Sequence, residues 1–324
     1  MIPIFLGAHI HLFDRIFLLD HISAIDLRGL TIPRVETFRI ALKPYLQLVY
    51  PNFLIRALKL QSEFDWIFIL DADEFLLTER DKLGAMLHQC RRAPYVKLHW
   101  QNGIFQATDQ ITPTTALRYR YTSPERKVAA NTRTIGKTFN FTPGFHRMKY
   151  GALAKINPLV GRPQTLPLPI THIPLGYTRD FAAKANWQAG FRPGRFSDYI
   201  VKKKPAHYTS ACARLVDGTA SLEDRLLVAA FYRSPDPSQT IPETVSCDDF
   251  ERIDLPRYVD TQTARHAAAF FAQAPVAAPV PPPDLTPHEE RLVALARNRV
   301  NYFTPQMEQM LTLDVNNRLI AAAA

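Results

Sequence analysis

An α/β fold, with a mostly parallel sheet flanked by helices and a helical appendage toward the C-terminus, is predicted by three features of the chain. Short apolar runs ending in acids alternate with helix-period segments through the first hundred residues. The runs are apolar on successive positions, as in strands covered on both faces. Beyond about residue 206 the strand-like runs give way to helical segments and a proline-rich stretch.

Taken in order, "RIFLLD" at 15–20 is a short apolar run closing on Asp20. "NFLIRALKLQSEF" follows, with Phe53, Ala57, Leu60 and Phe64 on one helical face. The next strand is "DWIFILDADEFLL", where five apolar residues run into Asp71, Asp73 and Glu74. "TERDKLGAMLHQC" reads as a helix with Thr78 and Asp81 spaced to cap its start. "YVKLHW" alternates, with Val96, Leu98 and Trp100 on one side of a half-buried strand. "KTFNF" reads as a strand, "TPGFHRMKYG" as a loop, and a helix is expected near Asp180. "SLEDRLLVAAFYR" and "QTARHAAAFFAQ" are helical, and Thr286 with Glu289 forms a capping box for a last helix. The expected organisation is an α/β domain at 1–205, a helical extension at 206–274, a Pro-rich linker at 275–287 and a helical tail at 288–324.

The 324 residues carry 39 Lys and Arg against 30 Asp and Glu, a net charge of +9 that favours phosphate-bearing partners. The cations are scattered, and the one tight run, Lys202 to Lys204, reads as a solvated face. No basic-aromatic module supports nucleic-acid binding. Cys90, Cys212 and Cys247 form no CxxC pair, so neither a disulfide framework nor a zinc site is expected. With no span-length apolar run and no clear leader, the expected location is cytoplasmic, with peripheral membrane contact compatible with the charge. P-loop, GxSxG and HExxH motifs are absent.

Three acids within four positions repel one another unless a positive group joins them. Asp71 and Asp73 point to the same side of an extended backbone, and a D-x-D at a strand's carboxyl end can hold Mg²⁺ or Mn²⁺ through hard oxygen ligands. Ligands of α/β sheets gather at such ends, where Asp20 is also expected. The plainer alternative is a strand exit whose acids cap the next helix or face water.

"DWIFILDADEFL" resembles the signature of family 2-like glycosyltransferases of the GT-A fold, in the subgroup whose motif reads D-W-hydrophobic-D-A-D-E-F. "HLFDRIFLLDHISAID", "TPGFHR" and "ITHIPLGYTRDFAAKANW" are similar to flanking segments of that family, so the resemblance spans roughly residues 5–190. The chain departs from the family pattern in three places. The usual first strand ahead of the first helix is lacking, Asp26 falls one residue late, and Ile-Pro follows His172.

The resemblance implies a GT-A-like sheet and an inverting, Mn²⁺- or Mg²⁺-dependent sugar transfer. The donor would be a nucleotide-sugar and the acceptor a glycan or lipid-linked molecule of the envelope or exopolysaccharide type. It implies nucleotide contacts from Asp20, Asp71, Arg179 and Lys184, metal ligation by Asp73 and His172, and a supporting role for Glu74. A general base is not singled out: Asp180, His146, Asp109 and Glu125 are all of suitable type. The alternatives are a catalytically degenerate GT-A-like binding protein and an aspartate-nucleophile phosphatase, the latter disfavoured by Phe75 two positions after Asp73.

Overall fold

The computed structural model describes residues 1–21, 23, 25–44, 46–106, 113–123, 125–136, 139–151, 160–174, 204–232, 241–274, 284–298 and 303–321. Two sheets with helices around them make a mixed α/β fold. The first sheet runs β1 (Ile16–His21), β2 (Val35–Ile40), β14 (Arg318–Ala321), β13 (Leu311–Leu313). β1 and β14 both lie parallel to β2, and β13 returns antiparallel to β14.

The second sheet is organised by β5 (Tyr95–Phe105), whose inward positions from Val96 to Trp100 alternate as the sequence predicts. The first half of β5 pairs with β7 (Arg126–Asn131) and β10 (Gln164–Thr165). Its second half pairs with β6 (Thr115–Tyr119) and β11 (Ile170–His172). β3 (Trp66–Phe68) lies outside β7, β4 (Glu74–Phe75) pairs with β11, and β12 (Phe250–Asp254) pairs with β6. The exchange of neighbours along β5 falls at Trp100–Asn102.

Several expectations need correction. The sheet is mixed: β5 is antiparallel to β6 and β7 and parallel to β10 and β11. The apolar run ahead of the acids forms three residues of strand and pairs with β7 alone among the described residues, so it is no central strand. The helix over 53–64 is broken: Val49–Ala57 stops, Lys59 takes φ 55°, and Leu60–Glu63 makes one further turn. Thr78 does not cap Arg80–Gln89, whose N-cap is Glu79 without a side-chain bond.

The C-terminal part is no appendage. β12 and β14 are built into the two sheets, and the helix Thr261–Gln273 packs on Ile2–His9. Gly7 allows that approach, because a Cβ there would sit 2.7 Å from Val259 and 2.8 Å from the Asp260 carbonyl. The capping box of the last long helix is present, with Glu289 accepting from the Thr286 backbone at 2.9 Å. Of the predicted linker at 275–287, residues 275–283 lie outside the described residues, as does the helix near Asp180, and Pro287 already begins the last long helix. Among the described residues no helix is long and apolar enough to cross a membrane.

His9 ties the first helix to the acid-bearing segment. Its ring lies against Phe5, Phe13 and Phe75, its Nδ1–H donates to the Phe5 carbonyl at 2.8 Å, and Nε2 accepts the Leu76 N–H at 3.1 Å. Burial pushes its pKa down to about 4. An imidazole whose folded value is depressed contributes stability that is present above 6.5 and lost as pH falls toward 4. We therefore expect urea unfolding to show a loss on the order of 3 kcal/mol between pH 7 and pH 4 from this group. In His9→Gln, less stable at pH 7, that part of the pH dependence should vanish; an unchanged slope would remove His9 as its source.

Candidate functional site

Side chains from five segments meet around Trp100: the turn after β3, the middle of β5, the start of β7, the turn after β8 (Phe139–Phe141) and the end of β11. The turn Asp71–Glu74 closes through Glu74, whose N–H meets the Asp71 carbonyl at 3.0 Å and whose Oε2 accepts the Asp71 N–H at 2.9 Å. The positive group that the clustered acids require is Lys127. Its Nζ stands 2.8 Å from Asp71 Oδ2 and 3.1 Å from Glu74 Oε1, the latter a charge contact without hydrogen-bond alignment. Lys127 is 1% exposed and Glu74 fully buried, while Asp71 is 41% exposed. The ammonium also faces the rings of Phe145 and Trp100 at 5.0 and 5.9 Å.

Burial pushes the Glu74 carboxyl up to about 8; Lys127 opposes this shift, and the charges of Asp71 and Asp73 add to it. Burial pulls Lys127 down, but Glu74 and Asp71 together outweigh it and its pKa ends above the ordinary value. Burial and the neighbouring acids thus favour the neutral form of Glu74, while the same acids hold the Lys127 ammonium in its charged form.

Asp73 faces the other way. Its Oδ2 lies 3.8 Å from His172 Nε2, the His172 end of β11 being tied to this turn by the Ile173 N–H on the Asp73 carbonyl at 2.7 Å. His172 stacks on Trp100 at 4.2 Å and its Nδ1 lies 2.9 Å from Asn102 Oδ1. His146 also meets the Trp100 indole, with centroids 5.6 Å apart and the ring planes 72° apart. His146 Nδ1–H donates to the Arg126 carbonyl, and Nε2 lies 3.4 Å from Glu125 Oε2. Its turn is a strained one: Gly144 has φ 74°, Phe145 has φ 58°, and a Cβ on Gly144 would strike the His146 ring at 2.5 Å. Among the described residues the buried Trp100 indole N–H has no hydrogen-bond partner, at a cost of about 1–3 kcal/mol.

Of the residues expected from sequence, Asp71, Asp73, Glu74 and His172 come together, with His146 and Glu125 one indole ring away. Asp20 does not join them. It is buried in the other sheet, where it accepts from Arg39 at 2.7 Å and from the Ser23 N–H at 3.2 Å, so it closes its own turn instead of offering a free carboxylate to a nucleotide. Arg179, Asp180, Lys184 and Asp109 lie outside the described residues.

Sequence reading passed over Lys127, Asn102 and the face of Trp100. Lys127 stands in "RKVAAN", where an apolar strand carries one charge at an inward position; that placement was the available signal.

A hard divalent cation fits the chemistry of Asp73 and His172, a carboxylate oxygen and an imidazole nitrogen. The described residues hold no group of three or more potential ligands. Water and phosphate oxygens would have to complete the shell, as they do at Mg²⁺ and Mn²⁺ sites that serve nucleotides.

The cluster around Lys127 gives a sharp expectation. Without the ammonium, Glu74 has a pKa still further above its unfolded value, and a carboxyl raised in this way loses its stabilising contribution as pH rises. Lys127→Met should therefore destabilise by roughly 3 kcal/mol at pH 8.5 and by less at pH 5.5. Adding Glu74→Gln should abolish that pH dependence in chemical denaturation; a Lys127→Met effect equal at both pH values would dissolve the proposed coupling.

Comparison of the chain with protein-family models, with curated proteins and with solved structures finds no match.

Proposed function

We propose that the protein is a metal-dependent glycosyltransferase that moves a sugar from a nucleotide-sugar donor to a glycan or lipid-linked acceptor, with inversion. The observation that carries this reading is the meeting of Asp73 and His172 at 3.8 Å, from positions 99 apart in sequence, beside an Asp71 that stays accessible. The division of labour among the acids supports it: Glu74 and Lys127 are interior, which leaves Asp71 and Asp73 to face a ligand.

In this reading Asp71, oriented by Lys127, accepts hydrogen bonds from the donor's ribose hydroxyls. Asp73 and His172 hold Mn²⁺ or Mg²⁺, which when bound neutralises charge on the diphosphate and makes it a better leaving group. The acceptor oxygen forms its bond to the anomeric carbon as the bond to the diphosphate breaks, the electron pair leaving with the diphosphate. The hydroxyl proton goes to the Glu125–His146 pair. Nδ1–H of His146 is committed to the Arg126 carbonyl, which leaves Nε2, 3.4 Å from Glu125 Oε2, as the ring nitrogen that can take a proton. A cytoplasmic location, with the net charge of +9 favouring contact with an anionic membrane surface, accompanies this reading.

Calorimetric titration with UDP and with GDP, in the presence and absence of Mn²⁺, tests it. Binding of one nucleotide that requires Mn²⁺ and weakens at least ~100-fold in Asp73→Ala is the expected outcome. A folded wild-type protein that binds neither nucleotide would defeat it. Nucleotide binding without release of nucleoside diphosphate from any UDP- or GDP-sugar would favour a binding protein on the same scaffold.

A further inference from the structure

We infer that Asn102 is a positioning residue that fixes the tautomer of His172 and thereby aims its Nε2 at Asp73; this rests on the metal-binding reading above. The argument begins at the amide. Asn102 is buried on β5, and its Nδ2 lies 3.2 Å from the Ala230 carbonyl and 3.1 Å from the Tyr232 carbonyl. Both are acceptors, so both amide hydrogens are spent on them; the reversed amide would press an oxygen against two carbonyl oxygens. Oδ1 therefore points toward His172, 2.9 Å from Nδ1.

An amide oxygen only accepts, so Nδ1 must be the protonated nitrogen of His172. In the neutral ring the lone pair is then on Nε2, the atom 3.8 Å from Asp73 Oδ2. Trp100, stacked on the ring at 4.2 Å with an interplanar angle of 19°, fixes its plane. The chain of constraint runs from two carbonyls just after the helix Leu222–Ala230, through one amide, to one ring nitrogen. The helix Leu222–Ala230 and its exit thus set the protonation pattern of a residue on β11. Hydrogen-bonding partners of this kind determine which nitrogen of a ligating histidine is available and raise its basicity.

The test uses the full-length, metal-free protein, labelled with ¹⁵N at histidine, with His172→Gln to identify the signal. Long-range ¹H–¹⁵N spectra read the tautomer directly, and Mn²⁺ alone is the binding probe. We expect the Nδ1–H form of His172 in the wild type. In Asn102→Leu the Nε2–H form should take over, with Mn²⁺ affinity falling ~10–100-fold.

An Nε2–H form in the wild type overturns the inference, and that single spectrum suffices even where Asn102→Leu fails to fold. Retention of the Nδ1–H form in Asn102→Leu overturns it as well. A wild type with the Nδ1–H form and no Mn²⁺ binding defeats the metal reading while the assignment of Asn102 to His172 stands.

Discussion

A buried ammonium between two carboxylates is the interaction on which the acid-bearing turn depends. Isolated in an apolar interior, Lys127 or Glu74 would each carry a desolvation cost of several kcal/mol. Set 3.1 Å apart, with Asp71 2.8 Å from the same nitrogen, they form a cluster whose net charge is near zero. The turn is also fixed by the two backbone bonds linking Asp71 and Glu74, so the direction of the Asp73 side chain follows from how the buried part is neutralised. The interior acid fixes the turn and Asp71 remains partly exposed, although all three acids sit within four positions of the chain.

The second constraint is the exchange of partners along β5. Were β5 paired with one neighbour on each side throughout, Trp100 and Asn102 would be ordinary ladder residues. Because β7 and β10 serve its first half and β6 and β11 its second, Trp100 and Asn102 meet side chains from several strands. Trp100 touches both histidines, His172 stacked on it and His146 steeply inclined to it. Each histidine has its own carboxylate, Asp73 or Glu125, and its own Nδ1 contact, an amide oxygen or a backbone carbonyl.

Much of this was legible in the chain. The alternation in 95–100 gave β5, the run 16–21 gave β1, the capping pair Thr286 and Glu289 gave the last long helix, and the D-x-D spacing gave Asp71 and Asp73. These signals are local: a strand period, a cap and a pair of charges are visible within a few residues. Less legible were the short strands β12, β13 and β14, which at three to five residues of mixed polarity show no period and owe their pairing to the partner strands. That loss turned an integral C-terminal region into an expected appendage. The same blindness placed Asp20 with the acids, since only its contact with Arg39 reveals that it closes its own turn.

By itself, then, the sequence determined that apolar strands and helices alternate, and that three acids must find a positive partner. Coulomb repulsion at such spacing holds in any fold. Tertiary structure alone decided that the partner within the chain is Lys127, 56 residues away, because an alternating strand shows that one lysine points inward but not what it will meet. It also decided that His172 reaches Asp73 through β11 and that Asn102 sets its protonation pattern, since these depend on which strands become neighbours. Strand pairing is a long-range choice made by burial and backbone hydrogen bonding, and a chain read residue by residue does not contain it.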